Sequence, residues 1–525
     1  MRISRLSQGV AVFAAGLMLA ACSGSQSSSP SNAGDDGAVD PAGVLKIGYT
    51  TYASQLDPHK ETPPDRTFLH VIYDRLFALN SDWTVQPMLA ESWEFSTDGL
   101  ELTIKLRTDA EFHDGAPVNA EAVKFSLERG QTLTGSTVAN LLSNISEVEV
   151  VDDSTVSLTL AEPDSALPNR LATMAGAVIN PAIAETREIG LDPAGAGSGP
   201  YEVTEFKPSE SATFKSVENH WQEGAGQLAE LQIIGIPESQ TRMAALQSGA
   251  VDVITIKQDQ MVEAQALEDS GSHVLRMYDS PLHYALMLRS DRSEFANPEV
   301  RHALSYAIDR EAISEQLLDG ECTATAQPWP KGMIGHDDAL DSVYEYDPEK
   351  AEQLLADAGL AGGFKFEAVV NTGLSPQQEI AQVVQTQLAD VGVEMEIAPV
   401  QSTEATVQFR NNDRDAYLHV INGESDPSLT IANNLLGVYN LASGDAADKL
   451  RDLAVKGVDP ALDAAARDAN YREISSLFSD EQWYLPICFQ PTMYLFPTDA
   501  VGDEDFSLAW TGMFDARFLA RATAD

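Results

Sequence analysis

A chain of 525 residues exceeds what one hydrophobic core supports, so two or more domains are expected, and an apolar content of 43% suffices to fill them. Its 80 acidic residues against 33 basic ones give a formal net charge of -47, which argues against nucleic acid as a partner and against adhesion to anionic lipid by charge alone. The acidity excludes partners and names none.

The chain opens with Arg2 and Arg5, an uncharged run over 10–21, and Leu19-Ala20-Ala21-Cys22. The run is too short to span a bilayer comfortably, yet it has the charged, apolar and small-residue regions of a secretory signal. Cys22 directly after Leu-Ala-Ala resembles the lipobox of bacterial lipoproteins. That implies removal of 1–21, a diacylglycerol group on the Cys22 thiol, and an extracytoplasmic body tethered to the cell membrane. An ordinary cleaved signal with a chance cysteine beside the cut is the alternative. No later uncharged apolar run replaces this anchor. Residues 22–43, rich in Ser, Gly, Asp, Asn and Ala, read as a flexible tether.

Further along, 93–106 reads as a hairpin around Asp98-Gly99 and 148–160 as another around Asp152-Asp153-Ser154, together an additional, mainly antiparallel subdomain. Residues 228–236 read as a strand, 239–248 as a helix opened by a capping serine and stopped by Gly249, and 251–256 as a second strand, making a β-α-β unit. A helix over 298–313 buries Val300, Ala303, Leu304, Ala307 and Ile308, is capped by Asn297, and carries Arg301, Asp309 and Arg310 outside that stripe. Residues 348–358 form a similar helix, capped by Asp347 and ended by Gly359. A second β-α-β unit runs through strand 364–370, helix 376–391 and strand 393–400, with a Ser375/Gln378 capping box, Pro376 in the first turn and Gly392 at the end. Parallel strands need such crossovers, so each half of the chain builds its own α/β sheet, and two lobes make a cleft.

The stretches Leu89-Ala90-Glu91-Ser92-Trp93-Glu94-Phe95, Asp98-Gly99 through Arg107, Phe112-His113-Asp114-Gly115-Ala116-Pro117-Val118 and Ala122-Val123-Lys124-Phe125-Ser126 carry a signature. It resembles that of family 5 extracellular solute-binding proteins, the receptors of peptide- and nickel-type ABC importers. Leu56-Asp57-Pro58, Gly197-Ser198-Gly199-Pro200-Tyr201, Asn219-His220-Trp221, Arg242 to Asp252, Val300 to Arg310 and Tyr346-Asp347-Pro348 to Gly359 extend the resemblance over nearly the whole mature chain. It implies an α/β, two-lobed periplasmic-binding-protein-like fold: lobe I from 44–90, 200–281 and 488–525, an inserted subdomain at 91–199, and lobe II at 282–487. It also implies a monomer that closes around one solute, a di- or oligopeptide first and a sugar, metal chelate or other polar metabolite otherwise. The solute would be delivered to permease subunits served by separate ATPase subunits. Surface reception on the same fold is a further alternative. In this family His113-Asp114-Gly115 is scaffold, and the residues fit a turn.

Peptide-binding relatives anchor the ligand's α-amino group with an aspartate a few residues before an acidic residue-Pro pair. Here that pair is Asp426-Pro427, but Val420 stands where the expected Trp would be and Gly423 where the Asp would be. Glu424 and Asn422 are the substitutes at hand. Tyr49, Thr51 and Tyr52 either line the cleft or pack within the first strand; His283 and Tyr284 either face ligand where the chain crosses between lobes or pack structurally; Trp329 either stacks on ligand or pins its loop between two prolines. Cys322 and Cys488 either pair or remain as two buried thiols. Ser428 follows Pro427 where a histidine would favour nickel, and the nine histidines show no paired metal spacing, so neither metal nor cofactor is expected. A hydrolase is the competing class, but Gly195-Ala196-Gly197-Ser198-Gly199 fails the nucleophile-elbow pattern, and zincin and phosphate-loop motifs are missing. A non-enzymatic binder is the expectation.

Overall fold

Strand Val44–Tyr49 lies between the two strands of the first crossover: Glu230–Gly235 and Val253–Ile256 both run parallel to it, joined by helix Ser239–Gln247. This computed structural model describes residues 38–523 except 373–374, 412, 503–506 and 509–512, so the signal and Cys22 lie outside the described residues. Around Val44–Tyr49 a seven-stranded sheet is ordered His273–Tyr278, Thr492–Pro497, Val253–Ile256, Val44–Tyr49, Glu230–Gly235, Ser211–Ser216, Tyr201–Lys207.

A six-stranded sheet follows the order Thr323–Ala324, Tyr484–Phe489, His283–Leu288, Ala416–Ile421, Phe364–Asn371, Val393–Val400. Its last two strands are parallel and flank helix Gln377–Asp390, the second crossover. His283–Leu288 is buried along its whole length because helices cover both faces of this sheet. Tyr284, Leu286 and Leu288 enter one core, and Ala285 and Met287 enter the other, as a two-residue side-chain period requires. Phe489 still pairs within this sheet, so the chain returns to the first sheet at Gln490-Pro491 rather than at 488.

The inserted layer is a four-stranded antiparallel sheet, ordered Ala90–Phe95, Glu101–Leu106, Thr155–Leu160, Ile145–Asp152. Helix Ala120–Thr132 covers it, packing on Ile145–Asp152 and Thr155–Leu160, and Val123 and Leu127 share one apolar core with Ile104 and Val156. Asp114 here accepts from the Ala116 amide at 3.0 Å and from Asn180 at 2.8 Å, and His113 bonds the Gly199 carbonyl at 2.8 Å, which accounts for the motif as scaffold.

Three local expectations are corrected. The helix from Pro298 ends at Ala307, because Ile308 is extended and Asp309 caps a new turn, Arg310–Ala312. Arg301 and Arg310, expected on the surface, are buried: backbone carbonyls of Phe295 and Glu481 receive the first guanidinium and those of Ser305, Tyr344 and Pro486 the second. Dense carbonyl ends make that burial tolerable. Lastly, Pro376 itself occupies the N-cap of Gln377–Asp390 without a side-chain cap bond, and Glu238 rather than a serine caps Ser239–Gln247. Gly392 ends its helix at φ +82°, as a left-handed stop should.

Candidate functional site

The chain passes between the sheets twice, at 279–282 and at 490–491, and the Gln490 amide donates to the Leu282 carbonyl at 2.8 Å, tying the two passages together. Beside them a cavity of about 550 Å3 lies between the sheets. It opens where strands Val44–Tyr49, Val253–Ile256 and Ala416–Ile421 end, the position where α/β sheets place ligands.

From the first lobe, Tyr49, Arg66 and Lys257 reach this cavity; from the second, Tyr284, Glu321, Asn422 and Glu424 do. Tyr49 donates its hydroxyl to Met513 Sδ at 3.3 Å, and burial raises its pKa. Arg66 pairs through Nε with Glu61 at 2.5 Å. Glu424 is held through its backbone amide on Thr430 Oγ1 at 2.9 Å and accepts from Asn433 at 3.2 Å. Gln258, from the first lobe, donates to the Leu318 carbonyl of the second at 3.0 Å, so the lobes already touch across the cavity.

Sequence reasoning missed Glu321. Burial, aided by the charge of Asp319, pushes its carboxyl up to about 7, and its Oε2 is buried without a hydrogen-bond partner. Its position is fixed by its neighbour: Cys322 is joined to Cys488 by a disulfide, Cα–Cα 5.5 Å, between strands Thr323–Ala324 and Tyr484–Phe489. Being next to a cysteine was the one available signal.

The other candidates divide. Tyr49, Tyr284, Asn422 and Glu424 line the cavity, whereas Thr51, Tyr52, His283, Trp329 and Asp426 do not. Tyr52 is exposed, with its Cβ packed over Gly235. His283 faces away from Tyr284 along its strand, stacks on Tyr484 at 5.5 Å, and burial lowers its pKa to about 4. Trp329 is a core residue packed with Tyr471 and Trp483. Asp426 spends its carboxylate on the Ser428 amide at 2.9 Å and on Arg467 at 2.6 Å. Gly423 explains the missing aspartate physically: a Cβ there would overlap the Pro281 carbonyl on the first passage between the sheets.

Residues 84–442 match the family model described as bacterial extracellular solute-binding proteins, family 5. The glutathione-binding protein GsiB of Pectobacterium atrosepticum is 31% identical over 371 residues, 70% of either chain. Among solved structures, the binding protein AgaA of A. tumefaciens R10 with agropinic acid is 26% identical, with a TM-score of 0.73 over 92% of this chain and 99% of that one. The ABC transporter-associated periplasmic binding protein DppA of Helicobacter pylori, with peptide STSA, shares the fold at a TM-score of 0.73 and 21% identity, over 92% and 98%. With a family match over most of its length and two α/β sheets around a cavity, the chain belongs to family 5 of the bacterial extracellular solute-binding proteins and is the substrate-binding component of an ABC importer.

Proposed function

We propose that the cavity takes a short peptide or peptide-like amino acid conjugate with a free amino group. The observation that carries this reading is Glu321, a carboxylate with a buried, unpartnered oxygen on the second lobe, opposite cationic Arg66 and Lys257 on the first. A zwitterion brings an ammonium to the unpartnered Glu321 oxygen and a carboxylate to the cationic wall, where Arg66 is already paired with Glu61 and Lys257 stands beside it. Desolvating a charge without such a partner would cost more than binding returns. The volume suits a small solute rather than a long peptide. The name of the GsiB relative supports a glutathione-sized peptide, and AgaA's agropinic acid supports the second reading, a non-peptide amino acid conjugate.

Binding proceeds by population shift: a ligand that touches both lobes favours the closed arrangement and presents it to the permease. Cys22 carries the lipid that keeps the monomer at the membrane, and the protein performs no chemistry on its cargo. Mass spectrometry of the small molecule released by denaturing the purified protein is the test, followed by calorimetry with glutathione and a di- and tripeptide panel. A peptide or amino acid conjugate is expected. Hydrolysis of bound peptide, or a scattering profile unmoved by a saturating ligand, would overturn the reading.

A further inference from the structure

His336 lies in the second lobe, away from the ligand cavity, and is nine-tenths buried. Its Nδ1 lies 3.0 Å from the Trp329 carbonyl, which can only accept, so that nitrogen carries the proton and Nε2 of the neutral ring presents a lone pair. Nε2 has no hydrogen-bond partner. It faces Asp338 Oδ1 at 3.6 Å and Asp341 Oδ1 at 3.5 Å, and all three ligand atoms fall within 4.8 Å of one another. In that tautomer a lone pair faces two carboxylates, an arrangement that a proton or a metal cation between them makes attractive.

The loop that carries these groups is pinned before any ion arrives. Gln327 donates to the Asp337 carbonyl at 3.0 Å and to the Asp341 carboxylate, while Asp468 accepts from the Gly335 amide at 2.9 Å. Ser475 donates to the Gly335 carbonyl at 2.6 Å. Two cations lie close: Lys331 at 3.2 Å from Asp338, and Arg472, paired with Asp468 at 2.7 Å and with Asp337 at 3.6 Å. Four carboxylates therefore outweigh two fixed positive charges, leaving room for a dication.

We propose that His336 Nε2 and the carboxylates of Asp338 and Asp341 hold a divalent first-row transition ion, Zn2+ being the probe of choice. Ligands about 2.0–2.1 Å from a tetrahedral Zn2+ are separated by roughly 3.3 Å, close to the two nitrogen-oxygen spacings here. Imidazole with two carboxylates suits such an ion, water completes its shell, and a carbonyl on the far ring nitrogen is the usual partner of a metal-ligating histidine. Asp338 and His336 border a second cavity of about 710 Å3, which supplies the access path.

The test is calorimetric titration of the chelator-stripped, purified protein with ZnCl2. One equivalent should bind, His336→Gln and Asp338→Asn should each weaken binding at least tenfold, and Glu321→Gln should leave it unchanged, separating this site from the solute cavity. Asp338 is largely exposed, so its variant reports even where His336→Gln folds poorly. With Co2+ in place of Zn2+, the visible absorption of a nitrogen- and oxygen-ligated ion should appear in the parent and vanish in both site variants. Absence of binding, as expected if a protonated His336 simply bridges the two carboxylates, overturns the proposal. So does binding that Asp338→Asn and His336→Gln leave untouched.

Discussion

Arg129 grips Asp57 with both arms of its guanidinium, Nη2 to Oδ2 at 2.6 Å and Nη1 to Oδ1 at 3.0 Å. Asp57 belongs to the turn after the first strand and Arg129 to the helix of the inserted layer, so one buried ion pair fastens that layer to the first lobe. Burial alone would raise the Asp57 pKa, but the hydrogen bonds and charge of Arg129 outweigh it and hold the carboxyl below its ordinary range. Removing one partner leaves the other charge stranded. Arg129→Met should therefore lower stability by about 3–5 kcal/mol, read from the urea midpoint at unchanged m, and should exceed the effect of replacing both residues.

The same pair makes acid a specific stress. His59 Nδ1 accepts from Arg129 at 3.0 Å, and burial followed by that cationic neighbour lowers its pKa to about 4. Its contribution is fully present above the ordinary value of 6.5 and is lost as pH falls from there through about 4, because the unfolded chain takes up the proton first. Thermal melts between pH 7 and 4 should show a steeper decline for the parent than for His59→Gln.

Ligand affinity should move in step with Glu321. Its carboxyl, raised to about 7, is increasingly neutral below that pH, so an amino-bearing ligand should bind more weakly at pH 5.5 than at 8. In the ligand-free protein the sign is opposite for folding: the folded state holds this proton more tightly, so stability relative to Glu321→Gln falls as pH rises from the ordinary carboxylate range through 7. Calorimetry across pH checks the first. Glu321→Gln should cost at least tenfold in affinity at pH 8 and flatten the profile; an unchanged profile would remove Glu321 from the ligand's contacts.

The disulfide between Cys322 and Cys488 closes a loop of 166 residues and seats Glu321. Thiol titration of the denatured, unreduced protein should find neither sulfur free. By loop entropy the bridge is worth at most about 5 kcal/mol, so paired serine substitutions should lower the urea midpoint clearly and weaken ligand binding as well.

Gly423 offers the sharpest substitution. Because the Pro281 carbonyl stands against its α-carbon, Gly423→Ala should cost about 1–3 kcal/mol by overpacking and impair closure of the lobes. Restoring the aspartate of peptide-binding relatives at this position should therefore abolish binding, as measured by calorimetry, rather than improve it.

Both crossovers, both hairpins and the family were legible because periodicity, helix-stop glycines and short motifs are local properties, although the N-caps of both crossover helices were misplaced. The strand-helix-strand units at 228–256 and 364–400 show this. What escaped depends on contacts distant in sequence. Arg301 and Arg310 look solvated until the carbonyls of Glu481 and Pro486 come to meet them from nearly two hundred residues away. In the site, adjacency to cleft segments predicted Tyr49 and Tyr284, but alternation along a strand turned His283 away from Tyr284 and sent it into the core. Glu321 carries no motif; only its place in the cavity wall, its burial and the bridge beside it mark it as a candidate.

Strand Thr492–Pro497 is inserted between His273–Tyr278 and Val253–Ile256, so the lobe begun first is finished last. Among the described residues, the strands of the six-stranded sheet are complete by Phe489, whereas the first sheet stays split, with the edge of Val253–Ile256 bare, until Thr492–Pro497 joins it. Met493 and Tyr494 also wall the solute cavity. Without Thr492–Pro497 the cavity would lack two of its walls and the edge of Val253–Ile256 would stand open, so the last strand of that sheet to be made joins it and completes the pocket in one step.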